Sequence, residues 1–135
     1  MGYNVADIEG VGAAYAEKLV AAGVATAQQL LEKGASAKGR KALEEATGIS
    51  SKLILTWVNH ADLFRVKGIG PQFAELLEAA GVDTVKELAT RNADNLAKKM
   101  LECNEAHKRV VRVPTAGELE TMINLAKELP AVVTY

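Results

Sequence analysis

Two stretches of this chain repeat each other at an offset of 58 residues: the run from Ile8 to Thr26 is echoed by the run from Val66 to Thr84. Gly10, Gly12, Ala16, Glu17, Leu19, Ala21, Ala22, Gly23, Val24, Thr26 and Leu30 recur unchanged as Gly68, Gly70, Ala74, Glu75, Leu77, Ala79, Ala80, Gly81, Val82, Thr84 and Leu88. An ungapped match of this extent means one supersecondary unit used twice. It divides the 135 residues into a first unit, 1–63, and a second unit, 64–135.

The repeated positions read as helices. Tyr15, Ala16, Leu19, Val20 and Ala22 lie at helical spacing, and Gly23 follows where a helix needs a positive φ to stop, so a helix is expected from about Ala13 to Ala22. Thr26-Ala-Gln-Gln29 and Thr84-Val-Lys-Glu87 have the capping-box form, which opens a further helix in each copy. Ser36 is placed to cap a helix that closes at Gly48, and Ser50 or Ser51 to cap a longer one carrying Leu53, Ile54, Trp57, Val58, Ala61 and Leu63. In the second copy Asn92 caps a helix through Leu96 and Met100. A loop around His107 to Pro114 interrupts, and Thr115-Ala-Gly-Glu118 opens a last helix that ends before Pro130. The apolar tail Ala131-Val-Val-Thr-Tyr135 is expected to dock rather than float in solvent.

Composition agrees with an all-α fold. Hydrophobic residues make up 49% of the chain but aromatics only 4%, which suits close-packed helices with small residues at the crossings. The formal charge of −1 provides no global field towards nucleic acid or an anionic membrane, so any such binding must come from local patches. The single cysteine, Cys103, excludes an internal disulfide and fits a reducing compartment. No stretch reaches the roughly 20 apolar residues of a membrane span, and no basic start with an apolar run opens the chain. A cytoplasmic protein is expected.

At Ile8-Glu-Gly-Val-Gly-Ala and Val66-Lys-Gly-Ile-Gly-Pro two glycines flank one branched residue between helices. The glycines allow a tight turn with unusual φ, with Gly70 expected at a positive φ that a β-branched residue would resist; Val11 or Ile69 plugs the space between helices, and the amides that follow sit at a helix start where anions are favoured. These residues resemble the helix-hairpin-helix motif. The run from Gly68 to Val82, with Thr84 after it, is similar to the form found in recombinase N-terminal domains and in the C-terminal domain of bacterial RNA polymerase α subunits. The whole chain, including Gly39-Arg-Lys-Ala, Trp57-Val-Asn-His-Ala-Asp-Leu-Phe64 and Val-Val-Thr-Tyr135, is similar to a bacterial family of small proteins of unknown function with two such motifs. The resemblance implies an all-α, SAM-like bundle of two helix-hairpin-helix units in one compact body, and a non-catalytic, sequence-independent grip on a DNA or RNA backbone through hairpin amides.

That resemblance also implies a Lys or Arg just inside the second helix of each hairpin, and here the sequence departs from it: Ala13 and Ala14 stand there in the first copy, Pro71 and Gln72 in the second. Asp7 and Glu9 flank the first hairpin, whereas Arg65 and Lys67 flank the second. The candidate contacts are therefore Arg65, Lys67, Gly68, Ile69, Gly70 and Gln72, then Gly10, Val11 and Gly12 of the first hairpin. A basic cluster of Lys38, Arg40 and Lys41 adds to them. Lys98, Lys99, His107, Lys108, Arg109 and Arg112 form another cluster, diluted by Glu102 and Glu105.

Each of these features also has a plainer explanation. The glycine pairs serve a tight turn whether or not anything binds, and the basic clusters serve as solvated helix faces. The alternative function is accordingly a protein-interaction or scaffolding module, or self-association, with structural hairpins. Cys103 and His107 fall four apart, but with only the remote His60 to join them they do not make a metal site. Trp57 reads as a packing residue. Glu44 with Glu45, and Glu118 with Glu120, read as solvated faces. No Ser/His/Asp set, phosphate loop or dinucleotide fingerprint is present, so neither an enzyme nor a cofactor is expected.

Overall fold

The structure, a computed structural model, describes residues 2–107 and 112–135. Among the described residues it is all-helical. A short 3₁₀ turn, Val5–Asp7, precedes α1 (Gly12–Ala21), α2 (Ala27–Gly34), α3 (Ala37–Thr47), α4 (Ser51–Leu63), α5 (Pro71–Ala79), α6 (Val85–Leu88), α7 (Ala93–His107) and α8 (Ala116–Glu128). Lys108 and Arg109, read above as part of a basic cluster, lie outside the described residues.

Side chains set the helix starts where the sequence placed them. Thr26 Oγ1 accepts from Gln29 N–H at 3.1 Å while Gln29 Oε1 accepts from Thr26 N–H at 3.2 Å, closing the box that opens α2. Ser36 Oγ takes Gly39 N–H at 3.0 Å, Asn92 Oδ1 takes Asn95 N–H at 3.1 Å, and Thr115 Oγ1 takes Glu118 N–H at 3.2 Å. Each acceptor satisfies one amide that the first helical turn leaves unpaired. Glycines set several of the ends: α1 stops at Gly23 (φ 87°), α3 at Gly48 (φ 74°) and α5 at Gly81 (φ 92°).

The chain divides into two units, 1–62 with 132–135, and 63–131. In the first, α1 packs on the 3₁₀ turn and α2 on α3, over a core that includes Val5, Ile8, Leu19, Val24, Leu30, Ile54 and Trp57. In the second, α7 packs on α5 and α8, and α6 on α8, over Val66, Leu76, Leu77, Val82, Leu88, Met100 and Leu119. The tail Val132–Tyr135 groups with the first unit rather than with residues 64–131, to which the sequence division assigned it. The reason is local: Thr134 N–H donates to the Ala35 carbonyl at 2.7 Å, and the Thr134 carbonyl accepts from Arg40 at 2.6 Å.

Glycine serves two different purposes in the first unit. Gly12 (φ 68°) has no atom within 4 Å of where a side chain would stand, whereas a Cβ on the helical Gly34 would come within 2.5 Å of Val58 Cγ2. Gly12→Ala should therefore cost about 1–2 kcal/mol through backbone conformation alone, and Gly34→Ala about 1–3 kcal/mol through overpacking. Urea denaturation in a Val58→Ala background separates the two. The Gly34 penalty should shrink there and the Gly12 penalty should persist, and equal behaviour of both would contradict this account.

Candidate functional site

The two glycine turns share a hydrogen-bond pattern. Ile8 N–H donates to the Val5 carbonyl at 3.2 Å and Val11 N–H to Ile8 at 3.2 Å, while Val66 N–H donates to Leu63 at 3.1 Å and Ile69 N–H to Val66 at 3.1 Å. Gly10 (φ 90°) and Gly68 (φ 97°) occupy the same left-handed conformation, and both are exposed. Val11 and Ile69 are 2% and 3% exposed, so each plugs its turn from beneath. The match continues at the far end of the following helix. Val24 N–H reaches the Leu19 carbonyl at 2.9 Å and Val82 N–H the Leu77 carbonyl at 2.8 Å. Lys33 Nζ donates to the Gly23 carbonyl at 3.4 Å, and Arg91 Nη2 to the Gly81 carbonyl at 2.7 Å. Lys33 and Arg91 were missed from sequence, although they are 58 residues apart and both cationic.

The turns part company at their second glycine. Gly12 is left-handed at φ 68°, but Gly70 is extended at φ −107° and ψ −173°, where any residue can sit. A requirement for positive φ at Gly70 does not hold. Pro71, at the first position of α5, pushes the residue before it into the extended region and offers no N–H of its own.

The basic candidates also separate. Lys67 is exposed beside Gly68, and Gln72 is exposed on the first turn of α5. Arg65 is half-buried and donates from Nη2 to the Pro130 carbonyl at 2.7 Å. Arg40 is 5% exposed: Nη1 donates to the Gly34 and Ala35 carbonyls at 2.9 Å each, Nη2 donates to Thr134, and the guanidinium lies 5.9 Å from the Tyr135 ring centroid. Burial lowers its pKa from the ordinary arginine value, against an opposing pull from Tyr135. Arg40 is thus a clasp for the tail rather than an open phosphate contact, which leaves Lys38 and Lys41 exposed on α3. In the second cluster Lys98 and Lys99 are exposed, while Arg112 is committed to Glu118 through two bonds of 2.7 and 2.8 Å.

Among the described residues no group of His, Cys, Asp and Glu could hold a metal ion, and no helix is long and apolar enough to cross a membrane. The fold and the paired turns define an all-helical protein whose two units each present a glycine turn at the surface. The chain belongs to the family described as a domain of unknown function (DUF4332), whose model matches residues 9–129. No curated protein and no solved structure matches it significantly.

Two measurements check the assigned side-chain roles. Arg40→Lys removes the fork that spans three carbonyls and should cost about 1–3 kcal/mol. Because the acceptors are carbonyls rather than carboxylates, that loss should be the same in low and high salt, and a loss that vanishes in high salt would refute the clasp. The Arg112 hydrogen bonds, with the Thr115 N–H, hold the Glu118 carboxyl down at about 2. A depressed carboxyl stabilises the fold above its ordinary titration range, and that contribution fades as pH falls through the folded value. Carboxyl NMR titration of Arg112→Ala should show the Glu118 midpoint rising towards the ordinary glutamate value.

Proposed function

We propose that the two glycine turns are helix-hairpin-helix motifs, and that the protein is a non-catalytic cytoplasmic module that binds a nucleic-acid backbone without reading its sequence. The observation that carries this reading is the exposed, left-handed Gly68 beside the exposed Lys67, in a turn whose hydrogen bonds recur at Gly10. Exposed turn amides suit a phosphate oxygen, and one adjacent ammonium supplies the charge. With the guanidinium groups of Arg40 and Arg65 donating to carbonyls, Lys67 is left as the exposed cation flanking the second turn, so affinity is weak and little of it depends on counterion release.

That same commitment of arginines favours a second reading, a protein-interaction module in which the turns are architectural. Fluorescence anisotropy at low salt, with two labelled duplexes of unrelated sequence, decides between them. The nucleic-acid reading expects equal affinities, a log–log salt slope of about −1 to −3 at roughly 0.9 per phosphate neutralised, and a loss of about tenfold or more in Lys67→Glu, which removes a charge-assisted contact. Absence of binding, a clear sequence preference or indifference to Lys67→Glu would transfer the assignment to protein interaction.

A further inference from the structure

Aromatic residues make up only 4% of the chain, yet one stands at the same place in each copy: Tyr15 and Phe73 are 58 residues apart, each three residues past the second glycine of its turn. A helical side chain leans over the turn that precedes it, so each ring lies towards its glycine turn. The two copies use the ring differently. Phe73 is half-buried, whereas Tyr15 is 36% exposed. The other exposed aromatic ring among the described residues, Tyr135, is already engaged by the guanidinium of Arg40.

Tyr15 is held as well as exposed. Its ring is tilted by 55° against Trp57 at a centroid distance of 5.2 Å. Trp57 is 2% exposed, and its Nε1 lies 3.7 Å from where a Gly10 side chain would stand, which fixes the pair of rings beside the first turn. A ring backed by a core residue has little freedom left to lose on binding. The preceding residues Gly12, Ala13 and Ala14 are exposed and small, so no long side chain from that turn covers it. Lys18, one turn on, is exposed and places its ammonium 6.0 Å over the Tyr15 ring centroid. In the second copy the same position is Leu76, which is fully buried.

We propose that Tyr15 is a stacking platform for one unpaired base of a single-stranded nucleic acid, with Lys18 as the cation for the phosphate attached to it. A cation–π contact at an exposed site is weaker than the stacking of a base, so the base takes the ammonium's place over the ring and frees it for the phosphate. The acidic flank of the first turn agrees with this ligand. Asp7 and Glu9 repel a phosphate, but a nucleobase carries no charge for them to oppose. Bases within a duplex are stacked on one another and offer only their edges, so the platform selects single strands. The inference rests on the nucleic-acid reading and deepens it by naming the form of the strand.

Fluorescence anisotropy with three labelled ligands tests the platform: an oligothymidylate, a strand of abasic sites with the same length and charge, and a duplex. The oligothymidylate should bind at least about fivefold more tightly than the abasic strand, a comparison that needs no variant. Tyr15→Leu keeps the apolar bulk and removes the π-face. It should weaken the oligothymidylate about five- to fiftyfold and leave the abasic strand unchanged, while Tyr15→Phe retains the parent affinity. The Tyr15→Leu loss should persist as salt rises, because stacking of an uncharged base releases no counterion. Equal binding of the abasic strand would overturn the assignment, as would an oligothymidylate affinity indifferent to Tyr15→Leu or a loss shared by Tyr15→Phe. If the duplex binds in a Lys67-dependent way while the abasic strand matches the oligothymidylate, the platform falls and the nucleic-acid reading stands. Tyr15-dependent binding of the oligothymidylate by a protein that binds no duplex keeps the platform and removes the backbone grip at Lys67, and a protein that binds none of the three loses both.

Discussion

Among the described residues no helix spans more than 15 residues, and helices so short gain little stability from their own hydrogen bonds. The fold therefore depends on how each end is finished. The clearest case is the reversal at Gly23 and Gly81. The glycine N–H reaches back to Val20 or Glu78, the next valine N–H reaches back to Leu19 or Leu77, and that valine is fully buried. A left-handed glycine followed by a buried apolar residue closes the helix and sets the direction of the chain towards Thr26 or Thr84, where the next helix is capped. Lys33 and Arg91 complete the arrangement by holding the glycine carbonyl, so one helix end is secured by a side chain from the last turn of the next helix, in the case of Lys33, or from just beyond it, in the case of Arg91.

Much of this was legible in the sequence because it is local. Capping residues act over three positions and helix-stopping glycines over five, so Thr26, Ser36, Asn92, Thr115, Gly23 and Gly48 located the helices to within about a residue. The conformation of Gly70 was legible as well, and misread: its place in a tight turn suggested a positive φ, but the neighbouring Pro71 decides the matter. What could not be read was the use of long side chains across distance. Arg40 looks like a member of a basic cluster beside Lys38 and Lys41, and only its partner 94 residues away makes it a buried clasp. Trp57 was rightly placed in the interior by its apolar neighbours, yet periodicity says nothing about its approach to the Gly10 turn.

The copies have diverged in a way that matters chemically. Up to the second glycine they share backbone geometry, and beyond it the first copy keeps its amides while the second trades one for Pro71. Around the glycine the first copy brings an indole and the second a thioether. In charge they differ the other way, acidic at Asp7 and Glu9, basic at Arg65 and Lys67. One turn thus holds the better donors and the other the better field. On the nucleic-acid reading proposed above, members that split these two properties make two unequal contacts rather than a symmetric pair.

The tail has a consequence for the order in which the molecule is made. Residues 63–131 are, in topological terms, an insertion within the first unit, whose last four residues follow the whole of the second. Arg40 leaves the ribosome long before Thr134 is translated, and at synthesis rates of about 5–20 residues per second the guanidinium waits several seconds or more for its third carbonyl. Over that interval the Ala35 carbonyl and Arg40 Nη2 lack their Thr134 partner, and the first unit, though earliest to emerge, is the last to be completed.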